Sequence, residues 1–264
     1  MQKLRYYREK FSMARRFIVR HTYFETRSAD GVRIAGAHLM ARGSGGPDSR
    51  DYGYAFVVVH GLFSNHRAHG MLEFAESLTR FGPVWTIDLR GHGFSGGECT
   101  LGNLEAHDVA GVTRGIREIT DLPIVLVGFS MGGAAVIRSA ALLEPVSAVV
   151  AISPPAKWGG QRRWAATRTR AAWRVPGGRM VLRLMTGVRL ARRVQRHESP
   201  RSVVGKISPA PLLIVYGDSD HFFPQIEAEM LLNEASEPKE LWMIEGGDHA
   251  EGLFYDAGER VDLK

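Results

Sequence analysis

Six short apolar runs recur along this chain, at 55–60, 84–88, 124–128, 148–153, 212–217 and 241–245, with helical patterns between most of them. A strand with one wet face alternates apolar and polar side chains, whereas a continuous apolar run is covered on both faces. Strands of that kind separated by helices join in parallel through crossovers, which lay helices on both sides of one sheet. The spacing predicts helices near 68–80, 105–119, 131–143 and 225–235, and a last one after 250. Ahead of the alternation, 22–26 and 32–40 read as two strands joined at Ala29-Asp30-Gly31. The expected fold class is α/β, a mostly parallel central sheet flanked by helices. With 264 residues, 44% of them apolar, the chain can build one large domain of this type.

The alternation breaks once. Residues 154–206 offer no clear strand and carry fourteen Lys/Arg against one acid, Glu198, a net charge of +13. An insertion at this point, above the C-terminal strand ends, predicts a lid over 154–206, with the core made of 22–153 and 207–264. The first 21 residues are expected to form a basic amphipathic helix, because Leu4, Tyr7, Phe11, Ala14 and Ile18 fall at spacings of three and four among arginines. Residues 1–27 carry a net +6 and the rest of the chain a net −13, so the overall +6 comes from two basic segments.

The strongest chemical signal is Gly128-Phe129-Ser130-Met131-Gly132-Gly133, set between the run at 124–128 and a small-residue helical pattern. A serine between glycines at a strand-to-helix turn is a nucleophile elbow, in which the glycines remove side chains that would collide. A serine hydroxyl needs a base within hydrogen-bond reach, and the base needs an acid to orient it. Two later strand-end loops supply both in the order Ser…Asp…His. The loop 217–224 holds Asp218 and Asp220, and Gly246-Gly247-Asp248-His249 holds the base, His249. Asp248 is expected to shape its turn. His221 competes for the base role but lies on the acid's loop. His66, His69, His107 and His197 are expected at the surface or in the lid.

An oxyanion site needs two backbone N–H groups. One is expected from Met131, directly after the serine, and the other from Leu62, on the loop after the run at 55–60. Phe63 is expected to line an apolar substrate pocket. Asp88 and Arg90, in Asp88-Leu89-Arg90-Gly91-His92-Gly93, read as structural. No histidine group has the spacing of a metal site, and the lone cysteine, Cys99, excludes an internal disulfide. No cofactor, metal or nucleic-acid partner is expected. No apolar run is long enough to cross a bilayer, and the N-terminus carries no continuous apolar stretch of a secretory signal, so a cytoplasmic location is expected.

On four motifs in order, the chain resembles the α/β-hydrolase superfamily. They are His60-Gly61, the segment from Asp88 to Ser95, the segment from Gly128 to Gly132, and Gly217…Asp220 followed by His249. The middle two are most similar to the monoacylglycerol lipase/lysophospholipase-like group, also called serine aminopeptidase-like. The resemblance implies an α/β-hydrolase fold with an inserted lid. It selects Asp220 over Asp218 as the acid, and it implies a Ser130–His249–Asp220 triad that cleaves a carboxylic ester with a lipid-like or medium-chain acyl group. A thioesterase or acyltransferase using the same triad, and a non-catalytic binding protein, are the alternatives. The chain departs from the group in its arginine-rich lid and in Leu62-Phe63-Ser64-Asn65. The two basic segments are expected either to touch anionic membrane or to pack on the acidic remainder.

Overall fold

The computed structural model describes residues 17–42, 52–157, 174–194 and 198–254. Its strands are β1 (His21–Arg27), β2 (Arg33–Leu39), β3 (Ala55–Val59), β4 (Val84–Ile87), β5 (Ile124–Phe129), β6 (Ala148–Ile152), β7 (Leu212–Gly217) and β8 (Lys239–Ile244). Its helices are α1 (His69–Leu78), α2 (Glu105–Arg117), α3 (Met131–Leu142), α4 (Gly178–Thr186), α5 (Pro200–Val203) and α6 (Ile226–Glu234). The strands form one sheet in the order β1-β2-β4-β3-β5-β6-β7-β8. β1 and β2 pair as a hairpin, β2 runs antiparallel to β4, and the other six strands are parallel to their neighbours.

Every residue of β3, β4 and β5 is buried, as a sheet covered on both sides requires. Side chains leave these strands with a period of two. Val57, Val59 and Leu126 join one core with Val109 and Val112 of α2, Ala135 and Val136 of α3, and Leu231 of α6. Phe56, Val58, Val125, Val127 and Phe129 join the opposite core with Met71 and Leu72 of α1 and with Leu253. From β3 the chain winds toward β4, and from β5 it winds the other way toward β6. The winding direction therefore reverses between β3 and β5, and in an open α/β sheet the C-terminal edge beside such a point is the usual ligand position.

Three expectations need correction. Ile18 belongs to the predicted N-terminal helix, yet residues 17–20 are irregular, Ile18 is 91% exposed, and β1 starts at His21. Glu76 accepts the backbone N–H groups of Ile18 and Val19, which pulls this stretch along α1. The earlier part of that helix lies outside the described residues. The predicted lid also ends sooner than 206. Val203, Val204 and Ile207 are buried in the core beside α3 and α6, because this stretch returns the chain to β7 through the helix layer. Finally, the helix expected after 250 is a short 3-10 turn, Ala250–Phe254, with 255–264 outside the described residues.

Candidate active site

Strand β5 ends at Phe129 and helix α3 begins at Met131, so Ser130 alone makes the turn. It does so at φ 52° and ψ −115°, a left-handed conformation that a serine adopts only under constraint. The constraint is visible on both sides. Ser130 N–H donates to Ile152 O at 2.8 Å, and its carbonyl accepts from Ala134 at 3.1 Å. A Cβ on Gly128 would lie 2.4 Å from Gly132 O, and one on Gly132 would lie 2.5 Å from the carbonyl oxygens of both Val59 and His60. Glycine at these positions is what lets α3 lie against the ends of β5 and β3.

The Ser130 hydroxyl meets His249 Nε2 at 2.9 Å, and His249 Nδ1 meets Asp220 Oδ2 at 2.7 Å. The three residues predicted from separate loops are thus one hydrogen-bonded chain. Asp220 is held by its own loop: its Oδ1 accepts the backbone N–H groups of Phe222 at 2.7 Å and Phe223 at 2.9 Å. The two rings lie against the imidazole, with centroids 4.8 and 5.4 Å from that of His249. The aromatic pair two and three residues after Asp220 is the sequence signal that would have found this wall. The loop of His249 hangs from β6, because Ser153 Oγ accepts the N–H of Ala250 at 3.0 Å. Ser153 (φ 48°) and Ala250 (φ 52°) are both left-handed, so strained backbone gathers around the serine. Nothing in the sequence singled out Ser153.

The other acids and histidines of the two loops are used differently. Asp218 accepts the N–H of Gly246 at 2.9 Å, tying the two loops together. Asp248 accepts from the His221 ring and backbone, and the imidazole of His221 stands 6.3 Å, centroid to centroid, from that of His249.

The loop after β3 lies against the serine. A Cβ on Gly61 would sit 3.2 Å from Ser130 Cβ and 3.8 Å from Oγ. Leu62 and Phe63 are partly buried and pack on the same core as Met131, and Phe63 takes φ 62°. The N–H of Met131 belongs to the first turn of α3, where backbone donors have no partner within the helix.

Two buried polar groups hold this loop. The first is His60. Leu89 N–H donates to its Nε2 at 3.0 Å, so the ring proton sits on Nδ1, which donates to Gly61 O at 2.7 Å. Burial, reinforced by His92, pushes its pKa from 6.5 down to about 3. The second is Asp88, which accepts the N–H groups of His66 at 2.9 Å and Phe94 at 2.8 Å. His66 was expected at the surface, but it is only 2% exposed, with Nδ1 2.8 Å from Asp88 Oδ1. Burial alone would raise the Asp88 carboxyl, but His66 and His60 hold it well below the usual carboxylate range.

Arg90 is likewise structural. Its guanidinium bonds Asp108 through Nε and Nη2 at 2.9 and 2.7 Å, and Asp30 of the β1–β2 turn through Nη1 and Nη2 at 2.8 and 2.6 Å. Burial would raise Asp30, but hydrogen bonds from Arg90 and Ser28 bring it to about 2. Among the described residues, no group of three or more His, Cys, Asp or Glu could hold a metal ion.

Residues 56–262 match the family model described as the alpha/beta hydrolase family. The chain belongs to that family. The protein YfhR of Escherichia coli strain K12 is 28% identical over 234 residues, covering 87% of this chain and 73% of YfhR. YqkD of Bacillus subtilis strain 168 is 29% identical over 243 residues, with the same coverage. The esterase Pf2001 of Pyrococcus furiosus superposes with a TM-score of 0.67 at 21% identity, covering 88% of this chain and 85% of the esterase. For this alpha/beta hydrolase, that last likeness speaks to the fold. Among its described residues, no helix is long and apolar enough to cross a membrane.

Proposed function

We propose that this alpha/beta hydrolase is a serine esterase that cleaves carboxylic esters with a lipid-like or medium-chain acyl group. The observation that carries the reading is the unbroken hydrogen-bond chain from Asp220 through His249 to Ser130, at 2.7 and 2.9 Å. His249 Nε2 takes the hydroxyl proton as Ser130 Oγ attacks the ester carbonyl. Asp220 keeps the other ring proton on Nδ1 and stabilises the imidazolium that forms. The developing oxyanion is met by the backbone N–H groups of Leu62 and Met131; one such donor is worth about 3–4 kcal/mol in the transition state. The imidazolium returns its proton to the leaving alkoxide. His249 then draws a proton from water as it attacks the acyl-enzyme, and returns that proton to Ser130 Oγ as the acid leaves. No cofactor takes part.

The apolar acyl preference is supported by Leu62, Phe63, Phe222 and Phe223 around the serine and histidine. Among hydrolases, the motifs at Asp88–Ser95 and Gly128–Gly132 favour the monoacylglycerol lipase/lysophospholipase-like group. The printed name of Pf2001 as an esterase agrees with ester chemistry.

The test is hydrolysis of p-nitrophenyl esters of rising chain length by the wild type and Ser130→Ala, with fluorophosphonate labelling alongside. The expected result is labelling of the wild type alone and a loss of kcat of about 10⁴-fold or more in the variant. Activity that persists in Ser130→Ala would assign the chemistry to another nucleophile. A folded wild type that neither labels nor cleaves any ester would overturn the reading.

A further inference from the structure

Helix α4 is turned the wrong way round for a helix that packs on its own protein. Met180, Val181, Leu184 and Met185 fall within an arc of about 140° at 100° per residue. They are 60%, 54%, 79% and 73% exposed, and Val175 extends the patch beyond the N-terminal end of the helix. The opposite side carries Arg179, Leu182 and Thr186. Arg179 Nη1 donates to Leu190 O at 3.1 Å, and Leu182 packs on the core. An ordinary surface helix buries its apolar stripe and shows its polar side. Here Arg179, Leu182 and Thr186 face the body and the broader apolar arc faces outward.

Along the chain, the charge flanking the arc has one sign. Arg174, Arg183, Arg192 and Arg193 are exposed beside it, and no acidic residue occurs between Glu144 and Glu198. The segment that follows the helix is tied to the catalytic edge. Left-handed Gly177 (φ 75°) and Gly187 (φ 73°) bound the helix. Directly after it, Leu190 forms a bridge with Cys99: Cys99 N–H donates to Arg189 O at 2.7 Å and Ala191 N–H to Cys99 O at 2.9 Å. Cys99 Sγ in turn lies 3.8 Å from Met131 Sδ, on the residue after the nucleophile.

We propose that α4 docks this protein on an anionic lipid bilayer. The four apolar side chains enter the acyl boundary, about 5–10 Å deep, and the arginines meet the anionic head groups. Because the return strand of α4 is bridged beside Met131, docking turns the sheet edge that bears Ser130 toward the membrane. The esterase reading adds only what such an orientation is for, namely delivery of an ester from the bilayer. Docking itself does not depend on that reading.

The experiment is vesicle sedimentation of the full chain carrying Ser130→Ala, so that no hydrolysis intervenes. Vesicles of phosphatidylcholine alone are compared with vesicles that also contain phosphatidylserine, at low and high salt. The expected result is binding to the anionic vesicles that weakens with salt, and its loss in a Leu184→Asp/Met185→Asp variant. Arg174→Glu and Arg183→Glu each weaken partitioning by about fivefold or more. All four positions are exposed, so circular dichroism melts are expected to match the parent; should the double Asp variant misfold, the arginine variants carry the test. Equal sedimentation with neutral and anionic vesicles overturns the proposal. So does undiminished anionic binding in the folded double variant, which would assign binding to another segment. Failure of the esterase reading would show instead in the p-nitrophenyl assay, leaving sedimentation unchanged.

Discussion

His60 offers a quantitative test of how the loop beside Ser130 is held. Its Nε2 accepts a backbone N–H and its Nδ1 donates to a backbone carbonyl, so the folded protein uses the neutral ring and has no place for a second proton. Unfolding releases the ring to water, where it titrates at its ordinary 6.5, whereas in the fold it stays neutral down to about 3. Below pH 6.5 the unfolded state therefore binds a proton that the folded state refuses. Stability is full above that pH and falls as the pH drops, by about 1.4 kcal/mol per unit. Between pH 7 and 4.5 the loss from this one residue is about 2–3 kcal/mol, and it levels off at about 4–5 kcal/mol below pH 3. Replacing His60 with Gln removes the titration from both states. Urea unfolding followed by circular dichroism at pH 7, 5.5 and 4.5 compares the two proteins. His60→Gln is expected to be less stable at pH 7 yet to lose about 2–3 kcal/mol less than the wild type on acidification. His38, whose pKa burial also lowers, titrates in both chains and cancels. Asp88 and Asp30 begin to take up protons only below this window. If both proteins lost the same stability between pH 7 and 4.5, His60 would not be the buried neutral ring described here.

Two further outcomes follow from packing and charge. Gly132→Ala places a methyl group 2.5 Å from two backbone oxygens of the β3 end, so α3 must shift; a stability loss of about 1–3 kcal/mol in urea is expected, with a fall in the p-nitrophenyl ester hydrolysis proposed above. Gly115→Ala, in helix α2 with only Thr26 Oγ1 at 3.7 Å, is expected to gain about 0.5–1 kcal/mol, and equal effects at both sites would refute the steric account. Arg90→Met strands the fully buried Asp108 without its partner and is expected to cost about 3–5 kcal/mol, read from the same denaturation curves; a loss below about 1 kcal/mol would show the network to be dispensable.

The sequence by itself determined the sheet and its chemistry. The uninterrupted apolar runs at β3, β4 and β5 could be buried only between two helix layers. Gly128 and Gly132 marked the turn at Ser130 because no other residue fits between backbones that close. Asp220 and His249 were legible because each follows a strand directly, and parallel strands bring all such loops to one edge. Choosing Asp220 over Asp218 already needed the resemblance to a family, since both stand on the same loop.

Tertiary structure decided the rest, because it depends on which distant segments meet. Ser153 holds the His249 loop through a contact spanning 97 positions, and no local pattern encodes it. His66 looks like a surface histidine until Asp88, 22 positions on, folds over it. Val203 and Val204 sit within an arginine-rich stretch that reads as lid, yet they are core because the route to β7 runs beside α3. The apolar arc of α4 can be read from residue spacing alone. Its outward direction cannot be, since periodicity tells which residues share a face and only packing tells where that face points.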